Sequence, residues 1–203
     1  MINVNKCLNA CWLLIIVTLS ACSTAPQVDR IGADTTTDLS GDWNDTDSRL
    51  VSEEMVQDAL SHPWIANFIR ANQHQPAVIV GEIRNLTHEH INVATFVNDI
   101  ERALINSGRV QFVASSSERR EIRDERLDQD LHASERTRNP AGKELGADYM
   151  LKGDISTIID AIAKEQTRYY QVDLTLISLA DNRKVWIGQK KIKKAIKNPQ
   201  YRF

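Results

Sequence analysis

The apolar run Cys11–Val17 and the cysteine that follows it, Cys22, determine which part of this chain folds and what holds it together. The run is too short to span a bilayer, and small residues follow it, as in a secretory signal. Removing such a signal would also remove Cys7 and Cys11. Because Cys22 would then be the single thiol, the mature chain could form no internal disulfide. Packing alone must therefore stabilise its fold.

The segment Leu19-Ser20-Ala21-Cys22 resembles the lipobox of bacterial lipoproteins. In that motif the cysteine is acylated before cleavage and becomes the first residue of the mature protein. The resemblance implies a signal peptide over residues 1–21 and lipid attachment at Cys22; an ordinary signal peptide cleaved near Ala21 or Ala25 is the alternative. Ser23 stands where retention in the inner membrane usually requires Asp. The lipoprotein pattern therefore implies the outer membrane, facing the periplasm.

The mature chain divides into a tether and one domain. Residues 22–47 are rich in Ser, Thr, Asp and Gly, with little that could form a core, and this composition predicts a flexible tether. Residues 48–203 are numerous enough for a single domain with a hydrophobic core.

Hydrophobic periodicity and capping residues predict the helices of the domain. The expected helices begin at an N-cap Ser48, at Pro63, at an N-cap Asn92, at Glu118 and at Pro140. The helix at Glu118 extends to about Arg138 and is dense in charge, so we expect it to face solvent. The helix at Pro140 is short and ends at Gly146.

Runs rich in β-branched residues predict five strands, over residues 77–83, 110–113, 148–159, 169–179 and 185–192. In the fourth strand apolar and polar residues alternate, so one face of the sheet is expected to be buried. Asp181-Asn182 predicts the turn of the last hairpin. The chain is therefore predicted to be an α+β domain with a small mixed β-sheet flanked by helices, in the order β-α-β-α-α-β-β-β from residue 77.

Catalytic and cofactor-binding patterns are absent from the sequence. His88-Glu89-His90 is the only cluster of potential metal ligands, and it lacks the i,i+4 histidine spacing of a helical site. We predict ordinary loop residues there, with a metal site as the alternative. No glycine pattern fits a phosphate loop, and aromatic residues do not interleave with Lys and Arg as nucleic-acid binding requires. The sequence predicts a binding module without cofactor or metal, not an enzyme; an envelope hydrolase is the alternative.

Basic residues dominate the C-terminal end, which carries eight of them and no acid from residue 183 onward. These are Arg183, Lys184, Lys190, Lys191, Lys193, Lys194, Lys197 and Arg202. Such a face could bind an acidic partner or an anionic polymer, and peptidoglycan is a candidate. A solvated edge strand that its lysines protect from aggregation is the alternative.

Three segments together resemble one family. They are NPAGKELGADYMLKGDIS at 139–156, VDLTLISLADNRKVWI at 172–187 and VIVGEIRNLT at 78–87. With the lipobox, they are similar to LpoB-type outer-membrane lipoproteins, which activate a bifunctional penicillin-binding protein. The resemblance covers roughly residues 51–194.

The resemblance implies a fold like the N-terminal domain of TolB and the activation of a peptidoglycan synthase through binding. It also leads us to predict that Asn85, Thr87 and Lys152 border the partner surface. The alternative for these residues is a turn-stabilising Asn and Thr and an exposed lysine. At the level of the whole protein, the alternative is an envelope assembly or curli-type secretion lipoprotein related to CsgG.

Overall fold

The computed structural model describes residues 27–197. The predicted signal peptide and Cys22 lie outside the described residues, so the lipid-attachment site stays a prediction. Two compact units are present, one ending at Thr35 and the other beginning at Thr36. The second unit contains the helices and strands discussed below.

Four helices and five strands make up the described part of the second unit. In chain order they are α1 Asp45–Ser61, α2 Trp64–Asn72, β1 Ala77–Asn85, α3 Val93–Asn106, β2 Gln111–Phe112, α4 Ser116–His132, β3 Tyr149–Ile162, β4 Glu165–Ser178 and β5 Lys184–Lys197. The strands form one sheet in the order β2-β1-β3-β4-β5. β1 is parallel to both of its neighbours, whereas β3, β4 and β5 are antiparallel. The predicted α+β class with a mixed sheet is confirmed.

The core lies between one face of the sheet and the helices. Alternate residues of β4 point into it, and Tyr170, Val172, Leu174 and Leu176 are at most 3% exposed. Helices α1 and α3 contribute Val51, Met55, Phe96 and Ile100 from the other side. The predicted alternation in this strand is therefore confirmed. It arises because successive side chains of a β-strand point to opposite faces of the sheet.

The starts of two helices agree with their predicted caps. Pro63 directly precedes α2, and the Asn92 side chain accepts a hydrogen bond from the Ala94 N–H at the start of α3. The prediction of Ser48 as the cap of α1 is wrong. Asn44 caps that helix in a capping box with Asp47, which satisfies two of the free N–H groups at its start.

The short helix predicted between Pro140 and Gly146 is not formed. The structure has a turn at Ala141-Gly142 and no helix in this segment. Gly142 has a φ of 82°, in the left-handed region, which is incompatible with a right-handed helix. The charged helix α4 is present and has no buried residue, as expected, but it ends at His132 instead of Arg138.

Part of the predicted tether packs on the domain. Residues 36–44, which we call the strap, belong to the compact unit and contact β4 and β5. The division into signal peptide, tether and domain otherwise stays a prediction.

Candidate functional site

One face of the sheet has no helix over most of its length; we call it the open face. On β3, β4 and β5 it consists of the side chains that alternate with the core residues. They are Lys152, Asp154, Ser156, Ile158, Asp160, Ile162, Glu165, Thr167, Tyr169, Gln171, Asp173, Thr175, Ile177, Ile187, Gln189, Lys191, Lys193, Ala195 and Lys197. These side chains are exposed or half-buried, so the open face is available for contact with another molecule.

Two shallow depressions mark the open face. One, of about 260 Å³, lies at the β1 side and is lined by Lys152 and by the Arg84–Asp154 ion pair. The other, of about 480 Å³, lies farther along β3 and β4 and is lined by Ile158, Tyr169 and Lys193 among others. The predicted site residue Lys152 therefore lies on the open face, where it is exposed.

Asn85 and Thr87 close the loop that follows β1. The Asn85 side-chain oxygen accepts hydrogen bonds from the Thr87 backbone N–H (2.9 Å) and hydroxyl (2.7 Å). Its amide nitrogen donates to the Glu89 carbonyl at 2.7 Å. Both side chains thus hold the backbone of a tight loop. Asn85 lies opposite Ile155, a core-facing residue, whereas Lys152 lies on the open face. The structure does not bring these three residues together on one surface.

Glu89, in the same loop, is the centre of a polar cluster that the sequence did not reveal. Its carboxylate accepts a hydrogen bond from the Trp43 backbone N–H at 2.9 Å and pairs with the Arg168 guanidinium at 2.9 Å. The Tyr170 hydroxyl donates to the same carboxylate at 2.5 Å. These partners are 46, 79 and 81 residues away in sequence. Glu89 therefore joins the strap, the loop after β1 and strand β4.

Tyr170 is fully buried beside this carboxylate. Burial, together with the hydrogen bond to Glu89, raises the pKa of its phenol well above the usual range. The hydroxyl also lies 3.0 Å from the Gly41 carbonyl in the strap. A neutral phenol is thus maintained as a hydrogen-bond donor inside the domain.

Two cations of the sheet bind the acidic strap. Lys194 of β5 lies 3.0 Å from the Asp38 carboxylate, 2.6 Å from that of Asp47 and 3.1 Å from the Asp42 carbonyl. Arg168 of β4 pairs with the Asp42 carboxylate as well as with Glu89. The Trp43 indole packs edge-on against the Tyr170 ring, with centroids 5.6 Å apart. Charge pairing and aromatic packing together hold the strap on the domain.

Asp38 provides a titration test of these strap contacts. Its hydrogen bonds from Lys194 and Asn44 lower its pKa below the ordinary value of 3.8. Because the folded-state pKa is depressed, the stabilisation is complete above the unfolded value and is lost as pH falls through the folded value. We expect the Asp38 carboxyl carbon signal in an NMR titration to have a midpoint below 3.8. The midpoint should return toward 3.8 in Lys194→Met; equal midpoints in the two proteins would contradict the pairing.

The residues from 27 to 197 contain no group of three or more His, Cys, Asp or Glu arranged to hold a metal ion. In the same range, no helix is long and apolar enough to cross a membrane. His88 and His90 are exposed, and the carboxylate of Glu89 between them accepts hydrogen bonds from Arg168 and Tyr170. The loop therefore uses its carboxylate for structure.

The fold and this surface define an α+β domain with one sheet face buried under helices and the other exposed. The sequence matches the family model of the peptidoglycan-synthase activator LpoB over residues 47–192. Because the match covers more than half of the chain, the chain belongs to this family. Membership places it among activators of peptidoglycan synthesis in the cell envelope.

Solved structures of similar proteins include two LpoB C-terminal domains. The Salmonella enterica domain has 17% identity and a TM-score of 0.33, over 64% of this chain and 93% of its own. The Escherichia coli domain has 16% identity and a TM-score of 0.34, with the same coverage. Lipoprotein GNA1162 from Neisseria meningitidis has 12% identity and a TM-score of 0.36, over 59% of this chain and 83% of its own. No curated protein matches the chain.

Proposed function

We propose that this chain is anchored in the outer membrane by lipid on Cys22, faces the periplasm and activates a bifunctional penicillin-binding protein. The observation that carries the proposal is the LpoB family match over residues 47–192. That range extends from the first turn of α1 into β5 and so includes most of the open face. The lipobox at Leu19–Cys22 supports the anchor.

Activation would occur through binding. A bound protein shifts an enzyme toward an active arrangement only by the difference in its affinity for the active and inactive states. An activator of this kind needs a specific surface, and it needs no group that touches the reacting atoms. The open face can provide such a surface, because its side chains are exposed or half-buried and do not pack in the core.

Lys152, Asn85 and Thr87 are proposed to border the partner surface in different ways. Lys152 would contact the partner directly from the open face, where its side chain has no hydrogen-bond or ion-pair partner among the described residues. Asn85 and Thr87 would act by fixing the shape of the loop after β1, since their polar groups bond to each other and to Glu89.

The experiment is a titration of the chain from Ser23 onward against the periplasmic part of each bifunctional penicillin-binding protein of the host, with the glycan polymerisation rate followed in parallel. Saturable binding together with a faster rate is the expected result. Absence of binding to all of them would refute the proposal. Lys152→Glu should weaken the interaction, whereas the exposed loop lysine Lys143 serves as a matched control for charge reversal.

A further inference from the structure

The far end of the open face carries large apolar side chains that the fold does not cover. Ile158 is 66% exposed and Ile162 is 77% exposed, both on the same side of β3. Tyr169 lies directly opposite Ile158 in the register of β3 and β4. We call this group of three residues, together with Lys191 and Lys193 beside it, the arm patch. Exposed apolar residues that cluster in this way on a domain surface mark interaction sites.

The lysines at the edge of the arm patch lack ion-pair partners among the described residues, unlike the lysines on the other side of β5. Lys190 and Lys194 point toward the helices, where Lys190 pairs with Glu54 and Lys194 with Asp38 and Asp47. Lys191 and Lys193 point to the open face, opposite the neutral residues Gln171 and Tyr169.

Among the described residues, the side-chain ammonium groups of Lys191 and Lys193 have no hydrogen-bond or ion-pair partner, and both side chains are exposed. The open-face lysines are therefore free to pair with carboxylates from outside. Charges left free at the rim of an apolar centre fit the usual organisation of a protein interface, with a polar rim around an apolar core.

We infer that the arm patch docks a protein partner that presents an apolar side chain surrounded by carboxylates. The depression of about 480 Å³ is lined by Ile158, Asp160, Thr167, Tyr169, Gln171 and Lys193. Within it, Ile158 and the Tyr169 ring would contact the apolar side chain, and Lys193 would pair with a carboxylate beside it. The Asp160 carboxylate beside the exposed isoleucines favours a protein partner over an anionic lipid surface, because burying an unpaired carboxylate among acyl chains is unfavourable. The inference rests on the proposed function, in which this partner is a bifunctional penicillin-binding protein.

The test uses the chain from Ser23 onward and the purified periplasmic part of the synthase. Ile158→Glu places a charge at the centre of the patch, and Lys193→Glu reverses a charge at its rim. We expect Ile158→Glu to raise the Kd by at least about tenfold, because it places a charge where an apolar contact would be buried. We expect Lys193→Glu to raise the Kd by about tenfold, because it brings like charges together at the rim of the interface. The Kd of Lys193→Glu should also depend less on salt.

Two matched controls alter the same residue types elsewhere. Leu127→Glu changes a residue of α4 that is 58% exposed, and Lys143→Glu changes an exposed lysine in the loop before β3. Both should bind within about twofold of wild type. Unfolding curves establish that each variant is folded. If Ile158→Glu does not fold, Lys191→Glu and Lys193→Glu test the rim by themselves.

The outcomes separate this inference from the proposed function. Failure of the wild-type chain to bind any synthase refutes the proposed function and removes the basis of the docking assignment. Wild-type binding that is unchanged in Ile158→Glu and in Lys193→Glu overturns the arm patch and leaves the activator role intact. A third outcome is that wild type binds anionic phospholipid vesicles and that Ile158→Glu loses this binding but still binds the synthase. This outcome would overturn the proposed docking role of the arm patch in favour of a lipid surface.

Discussion

Replacing Glu89 by alanine is expected to lower the free energy of unfolding by about 3 kcal/mol, near the lower end of the range for breaking a buried ion pair. The substitution removes the acceptor of the Trp43 N–H and of the Tyr170 hydroxyl. It also leaves Arg168, whose side chain is 19% exposed, with Asp42 as its single anionic partner. For a domain of this size we expect the Tm to fall by about 6–12 °C.

Two comparisons make this prediction specific. Glu89→Gln keeps the size and one side-chain oxygen but removes the charge, so it should be intermediate between wild type and Glu89→Ala. His88→Ala and His90→Ala alter exposed neighbours in the same loop and should change stability by no more than about 0.5 kcal/mol. Thermal unfolding followed by circular dichroism measures all four variants. Similar losses in the glutamate and histidine variants would mean that the loop, and not the carboxylate, stabilises the domain.

The elements of this fold were predictable where local chemistry determines them. Alternation along β4 identified the buried face, and Asn92 and Pro63 identified two helix starts. The false helix at Pro140 shows the limit of such signals, because Gly142 adopts a left-handed backbone that a helix cannot contain. A segment of that length has too little packing to overcome its own turn chemistry.

The Glu89 cluster and the strap were not predictable in the same way. Glu89 binds partners 46 to 81 residues away, and no local pattern encodes such contacts. The strap had two readable signals. Trp43 is a large aromatic residue in a polar segment, and Asn44-x-x-Asp47 is a capping-box pattern that begins four residues before the expected N-cap Ser48. The prediction of a tether rested on the polar composition of residues 22–47 alone and used neither signal.

The candidate binding surface was predictable only in part, because strand alternation is a local signal and strand length is not. Strand alternation implies an open face, but exposure of Ile158 and Ile162 depends on how far β3 and β4 extend beyond the helices. Sequence periodicity predicted β3 to end near Ile159, whereas the strand continues to Ile162. Of the arm patch, only Ile162 lies in this extension; Ile158 lies within the predicted strand, where an apolar residue is easily interpreted as core.

Lys194→Ala is expected to release the strap and to lower the free energy of unfolding by about 3–5 kcal/mol, as breaking a buried ion pair does. The Lys194 side chain is 12% exposed and that of Asp47 only 5%, so the substitution leaves a buried carboxylate without its cation. Amide exchange reports the release directly, because the Trp43 N–H is protected by Glu89 only while the strap is seated. Faster exchange at Trp43 should accompany the loss of stability.

Lys191→Ala is the matched control on the same strand. Lys191 points to the open face and has no ion-pair partner among the described residues, so its removal should change stability by no more than about 0.5 kcal/mol. Adding Asp47→Asn to Lys194→Ala removes the stranded charge and should restore part of the stability, with a coupling energy of about 0.5–3 kcal/mol. Equal effects of Lys194→Ala and Lys191→Ala, or strictly additive losses in the double variant, would show that the lysine does not hold the strap through Asp47.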